Sequence, residues 1–178
     1  MIRLNPEGEY PQIDNTAYID PTAVIIGKVE IGGNVFVGPG VMLRADEKGS
    51  SITIKDNCNI QDRVIIHALE NTSVLIEKNT SLAHGCIIHG PCKISKYCFI
   101  GFGSVVFNTE IGEGVFIKHL AVIEGIHILP ERVVDSLSLV NNEDEAKGLN
   151  FVDKSLKNFA VNVLKTNLDL VERYKKNG

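Results

Sequence analysis

The chain has no tryptophan, only four tyrosines and seven phenylalanines, four cysteines and six prolines in 178 residues. So few aromatic rings cannot fill a bulky core, and the interior has to be assembled mainly from Ile, Val and Leu. No apolar run approaches the roughly 18 residues that would span a bilayer, and the opening Met-Ile-Arg-Leu-Asn-Pro-Glu lacks the basic-then-apolar plan of a signal peptide. Basic clusters are missing too. Eighteen Lys and Arg against 22 Asp and Glu leave a net charge of −4, which argues against a nucleic-acid partner and against an electrostatic membrane anchor. The apolar fraction of 44% excludes disorder, and the length suggests one domain. The expectation is a soluble, cytoplasmic protein whose partners are small molecules or protein chains.

What the chain has in abundance is an aliphatic residue at every sixth position. Ile19, Ile25, Ile31, Val37 and Leu43 are in phase; so, after a shift, are Ile54, Ile60 and Ile66; then Ile76, Leu82, Ile88, Ile94, Ile100 and Val106; then Ile111, Ile117 and Ile123. Four residues after most of these sits something small, such as Ala23, Val41, Cys58, Thr80, Cys86 or Ser104. A helix would need spacings of 3 and 4, and a hairpin sheet strict alternation, so neither explains a sustained six. The pattern predicts an all-β fold, a parallel β-helix of hexapeptide repeats in which three hexads make one triangular coil of about 18 residues and coils stack about 4.8 Å apart. This reading gives about five to six coils and a prism of roughly 25 to 30 Å. Two of the phase breaks are loops ejected from a corner, within Glu47–Ser51 and Leu69–Ser73; the third, from Val106 to Ile111, is one residue short. Such irregularities are where function tends to be placed.

The expected organisation is an N-terminal lead-in (1–18), the hexapeptide domain (19–130), a polar connector (131–152) and an amphipathic C-terminal helix (153–176). The helix is read from Val152, Leu156, Phe159, Ala160, Val163, Leu164, Asn167, Leu170, Val171 and Tyr174 at helical spacing. All four cysteines fall on the small inward position, so they read as buried thiols in a reducing compartment.

Of the five histidines, His67 follows repeat residue Ile66 and His89 follows Ile88, so both occupy the same phase. Their separation of 22 residues is 18 plus the four-residue insertion, which stacks them one coil apart on one corner, about 5 Å from each other. Two imidazoles so placed can share a metal ion at about 2.1 Å per bond. His84, five residues before His89, lies on the preceding corner. A third ligand from His84 therefore requires a second subunit, and three prisms around a threefold axis would make three equivalent sites. The same spacings are also compatible with a chance stack and a solvated His84.

The segments Arg44-Ala45-Asp46-Glu47, Asn59-Ile60-Gln61-Asp62, His67-Ala68-Leu69-Glu70 and Ser81-Leu82-Ala83-His84-Gly85, ending in His89-Gly90-Pro91, resemble the gamma-class carbonic anhydrases over nearly the whole chain. The resemblance implies a left-handed prism, a homotrimer, and a metal held by His67 and His89 of one subunit and His84 of its neighbour. Zn2+ suits three imidazoles and an open position, and Fe2+ or Co2+ do too. It further implies hydration of carbon dioxide to bicarbonate by a metal-bound hydroxide, since the cation lowers the pKa of its water to around 7. Gln61 matches the glutamine that bonds the metal-bound solvent or bicarbonate, Asn59 its orienting neighbour, and Asn162 an asparagine brought in by the terminal helix. Arg44, Asp46 and Asp62 match a polar set at the subunit interface. Glu47 and Glu70 match the proton-transfer glutamates, although Glu70-Asn71-Thr72-Ser73 is short where the family has a long acidic loop. Ala160 stands where the family has an aromatic near the metal.

Two other functions fit the repeat. A hexapeptide acyltransferase would use a His as base on an acceptor hydroxyl or amine and would need no metal. A non-catalytic assembly module would keep the metal as a staple between subunits.

Overall fold

In the computed structural model, which describes residues 1–177, each repeat aliphatic lies in or beside a short strand, and every pair of strands is parallel. Successive strands turn through three faces. The first carries Val24–Gly27, Met42–Ala45 and Ile65–His67, and the second carries Val29–Ile31, Ser51–Ile54 and Ser73–Ile76. The longer strands Ile87–Ile94 and Val105–Ile111 continue round an edge and join these two faces into one 13-stranded sheet. The third face is a separate 7-stranded sheet running from Tyr18–Ile19 to Val133–Val134. The molecule is a left-handed β-helix of hexapeptide repeats closed by a C-terminal helix.

The register explains the period of six. Leu43, Ile66, Ile88 and Val106 are direct ladder partners one above another, and each is fully buried. Equivalent columns run up the other two faces, through Ile54 and Ile76 and through Ile60 and Leu82. Residues of the same type meet at the strand separation, so each buried Ile or Leu contributes about 1.5 to 3 kcal/mol without needing aromatic bulk. The four cysteines are buried and unpaired, and burial pushes the thiols of Cys58, Cys92 and Cys98 up to about 12.

The seven strands of the third face make the prism about seven coils tall, rather than five to six. The extra turns lie outside the expected 19–130 span. Ile2–Arg3 pairs with Val24–Gly27, Gln12–Ile13 pairs with Val29–Ile31, and Leu139–Val140 pairs with Val122–Glu124. The repeat does continue there: Ile13 stands six before Ile19, and Ile128, Val134 and Val140 resume the spacing after another step one residue short. The connector also holds α1, Glu143–Gly148, capped by Asn142, whose side chain accepts a hydrogen bond from the Glu145 amide at 3.0 Å.

The terminal helix, α2, spans Lys154–Asn177 and starts on Asp153, whose carboxylate accepts from the Leu156 amide at 2.9 Å. It runs down the third face against the rise of the coils. Near its start Phe159 meets Phe99 edge-on at 5.4 Å, and near its end Tyr174 stacks on Tyr18 at 4.6 Å. Leu156, Ala160 and Val163 pack on Phe99, Phe116 and Val133. The helix thereby covers one face and leaves the edges bounding the first face uncovered.

Ile88 sits at the middle of its column with no exposure. Ile88→Ala is expected to lower unfolding free energy by about 2 to 5 kcal/mol in denaturant titrations. Leu139→Ala, at a position 53% exposed on the last coil, should change it by less than about 0.5 kcal/mol.

Candidate metal centre

His67 and His89 are direct ladder partners at the end of the first face. Their ring centroids are 4.9 Å apart at 75°, and His67 Nδ1 lies 3.1 Å from His89 Nε2. The four-residue loop between Leu69 and Ser73 leaves the coil and re-enters in register, Ser73 opposite Ser51 and Val74 opposite Ile52. It therefore shifts neither ring.

Bonding demands sort the imidazole nitrogens. His89 Nδ1 faces the Gly90 carbonyl at 3.3 Å; as the donor there, it leaves His89 Nε2 to accept from His67 Nδ1. His67 Nε2 is then a lone pair, and it is buried without a hydrogen-bond partner. Around it stand two acceptors, Asp46 Oδ1 at 3.6 Å and Glu47 Oε1 at 3.4 Å. Protonation of His67 would satisfy the group, yet its pKa is held below the ordinary histidine value, first by burial and then by the Arg44 guanidinium and His89. The two carboxylates pull the other way and are outweighed. A neutral imidazole pair whose facing nitrogens lie 3.1 Å apart, with an orphaned nitrogen and two anions beside it, fits a cation, which would displace the proton shared between the rings.

Arg44 is the next ladder partner of His67 and grips Asp46 in its own chain, with Nε and Nη2 at 3.1 and 3.0 Å from Oδ2. Glu47 is steadied by the Glu70 backbone amide, which donates to Oε2 at 2.6 Å. Of the two glutamates, Glu47 is thus the one brought to His67, while Glu70 supplies its amide and stays exposed.

His84 stands on another edge, exposed, with Nδ1 3.5 Å from Asp62 Oδ2 and its ring stacked on Phe102 at 5.5 Å. Among the described residues no three His, Cys, Asp or Glu side chains are grouped to hold an ion within one chain.

Beside His84 a cavity of about 150 Å3 opens beneath α2, walled by Phe99, Phe102 and Val163. Gln61 points its amide nitrogen at the oxygens of both Asn59 and Asn167, the latter at 2.6 Å, so it has only its carbonyl oxygen to offer. Asn59 is buried, and its own amide nitrogen has no partner. The pocket therefore presents an acceptor next to an unsatisfied donor.

Asn162 is not part of this cluster. It lies exposed on α2, whereas Asn167 is buried and is held by the Val163 carbonyl at 2.8 Å. Five positions on a helix turn through about 140°, so the two asparagines cannot address one atom. Asn167 shares the i, i+4, i+8 face of Phe159 and Val163, the stripe on which the sequence already places it, but the spacing assigns it no role beside Gln61. A second cleft, about 230 Å3 and lined by Tyr97, Phe116 and Leu164, lies elsewhere under α2 and shares none of these residues.

Comparison with known proteins agrees with the prism. A family model described as bacterial transferase hexapeptide (six repeats) matches residues 10–45. The carbonic anhydrase of Methanosarcina thermophila is 35% identical over 192 residues, covering 96% of this chain and 77% of that protein. The carboxysome assembly protein CcmM of Nostoc sp. is 37% identical over 173 residues, but the chain spans only 31% of its length. Among solved structures, a hexapeptide transferase family protein from Anaplasma phagocytophilum superposes with a TM-score of 0.82 at 23% identity, covering 98% of each chain, which shows the fold. With His67 and His89 in register on a hexapeptide prism, and 96% of this chain matched to a carbonic anhydrase at 35% identity, the chain belongs to the gamma-class carbonic anhydrase family.

Proposed function

We propose that this protein interconverts carbon dioxide and bicarbonate at a metal site completed between the subunits of a homotrimer. The observation that carries the reading is the in-register pair His67 and His89, with a buried nitrogen that has no partner in its own chain. His67 and His89, with His84 of a neighbouring copy, would hold Zn2+, or Fe2+ or Co2+, and the cation would make water a nucleophile at neutral pH. Gln61, fixed by Asn59 and Asn167, offers its carbonyl oxygen to a protonated oxygen of solvent or bicarbonate. The unpartnered Asn59 amide is a donor for a bicarbonate oxygen. Glu47 is the nearer proton acceptor, held in place by the Glu70 amide, and Glu70 passes the proton to solvent. Four unpaired, buried thiols support a cytoplasmic location.

A second reading, a metal-stapled assembly module without turnover, is favoured by the similarity to carboxysome assembly proteins. The likeness to hexapeptide transferases concerns the fold alone and lends an acyltransferase reading no weight.

Metal-loaded protein should carry about one ion per chain. In a stopped-flow pH-indicator assay it should hydrate carbon dioxide at least about 100-fold faster than His84→Ala. Bound metal with wild-type rates no higher than those of His84→Ala would select the assembly reading. Asn167→Ala should lower kcat/KM by about tenfold or more, since it frees the Gln61 amide, and Asn162→Ala should leave it within about twofold. In metal-free protein His67 should titrate below about 6.5 by NMR. The unfolded chain then binds that proton more readily than the folded one, so stability falls as pH drops through about 6.5. His67→Gln should remove this part of the acid sensitivity.

A further inference from the structure

Two outward columns run along neighbouring edges of the prism. On one, Arg44, His67, His89, Phe107 and Glu124 are successive ladder partners. On the other, Asp62, His84, Phe102 and His119 follow each other, their coils joined by hydrogen bonds from the Gly85, Gly103 and Leu120 amides to the carbonyls of Asp62, His84 and Phe102. Each member of the second column precedes a member of the first by the same five residues: His84 before His89, Phe102 before Phe107, His119 before Glu124. A rotation about an axis parallel to the prism keeps every height. The operation that brings His84 of one copy level with the gap between His67 and His89 of the next therefore brings His119 level with the gap between Phe107 and Glu124.

The chemistry at that level is complementary. Nδ1 of His119 accepts a hydrogen bond from the Phe102 amide at 3.1 Å, and the His119 ring stacks on Phe102 at 4.3 Å and 6°. With Nδ1 engaged as acceptor, the proton of the neutral ring is on Nε2, a donor held in place by the stack. Glu124 is exposed and offers the acceptor.

We infer that Nε2–H of His119 donates to the Glu124 carboxylate of the neighbouring copy, a clasp two coils, roughly 10 Å, above the metal site. The clasp rests on the trimeric reading above and names a contact that reading does not need.

The test is cross-linking of the metal-loaded His119→Cys, Glu124→Cys double variant with a thiol-specific bis-maleimide of about 8 to 10 Å reach, since a His–Glu pair holds its backbones beyond a disulfide's roughly 7 Å limit; the native cysteines are buried and the surface pair alone can react. A covalent ring of three chains on a non-reducing denaturing gel, absent from either single variant, is the expected result. Light scattering on the wild type separates the failures. A trimer in solution whose double variant forms no cross-link overturns the clasp and leaves the trimer standing, whereas a monomer overturns both. As an independent check on folded protein, His119→Glu should raise the concentration of half-dissociation by about tenfold or more, and adding Glu124→Lys should restore it. No rescue counts against the contact.

Discussion

Parallel stacking in strict register is the constraint from which the rest of the molecule follows. Because each coil sits one strand separation above the last, one phase of the hexad becomes one column. Inward phases become ladders of Ile, Leu and Val, and an outward phase becomes the stacked pair of imidazoles. Even the ejected loops obey it. Glu47 and Glu70 belong to loops on consecutive coils, and the second donates its amide to the carboxylate of the first. A metal site on such a scaffold needs no special backbone, only the right residue twice in one phase.

The same geometry underlies the proposed sharing of the site between copies. A convex prism turns its edges away from each other, so ligands on different edges of one copy diverge, and His84 can meet the other two only when a second copy presents a different edge. In the proposed reading, assembly and chemistry are then one event. The helix α2 conforms to this arrangement: it covers the third face, where Phe99 and Phe116 need burial, and leaves the histidine edges open.

Much of this was legible in the sequence, because a period of six leaves few alternatives. The phase of His67 and His89, the isolation of His84, the ejected loops and the inward cysteines are all counting problems, and the register follows the count. The count stopped early at both ends, where steps one residue short and polar neighbours hid Ile128, Val134 and Val140. The contact of Asn167 with Gln61 was not legible for a different reason. The helical stripe shows which face of α2 is buried, but which coil each position meets is a tertiary fact, set by Phe159, Val163 and Tyr174 finding aromatic partners. The motif around Asn162 carries no information about that placement. Likewise the pairing of Arg44 with Asp46 inside one chain depends on rotamers, which spacing does not determine.

That last pair bears on the ligand role proposed for His67. A histidine within 4 Å of two carboxylates would ordinarily hold its proton, and a protonated imidazole has no lone pair to give a metal. Here burial disfavours the charged ring, and Arg44 contributes more against the proton than either carboxylate contributes for it. Arg44 sits one ladder step from His67 and binds Asp46 through two nitrogens, so it cancels much of the negative field at the ring while leaving both carboxylates in place. The arrangement suits the proposed site, since it keeps two carboxylates beside the ring as proton acceptors while disfavouring a proton on the ring itself. An Arg, permanently charged and two-pronged, can do both; a neutral residue in its place would leave His67 to the carboxylates.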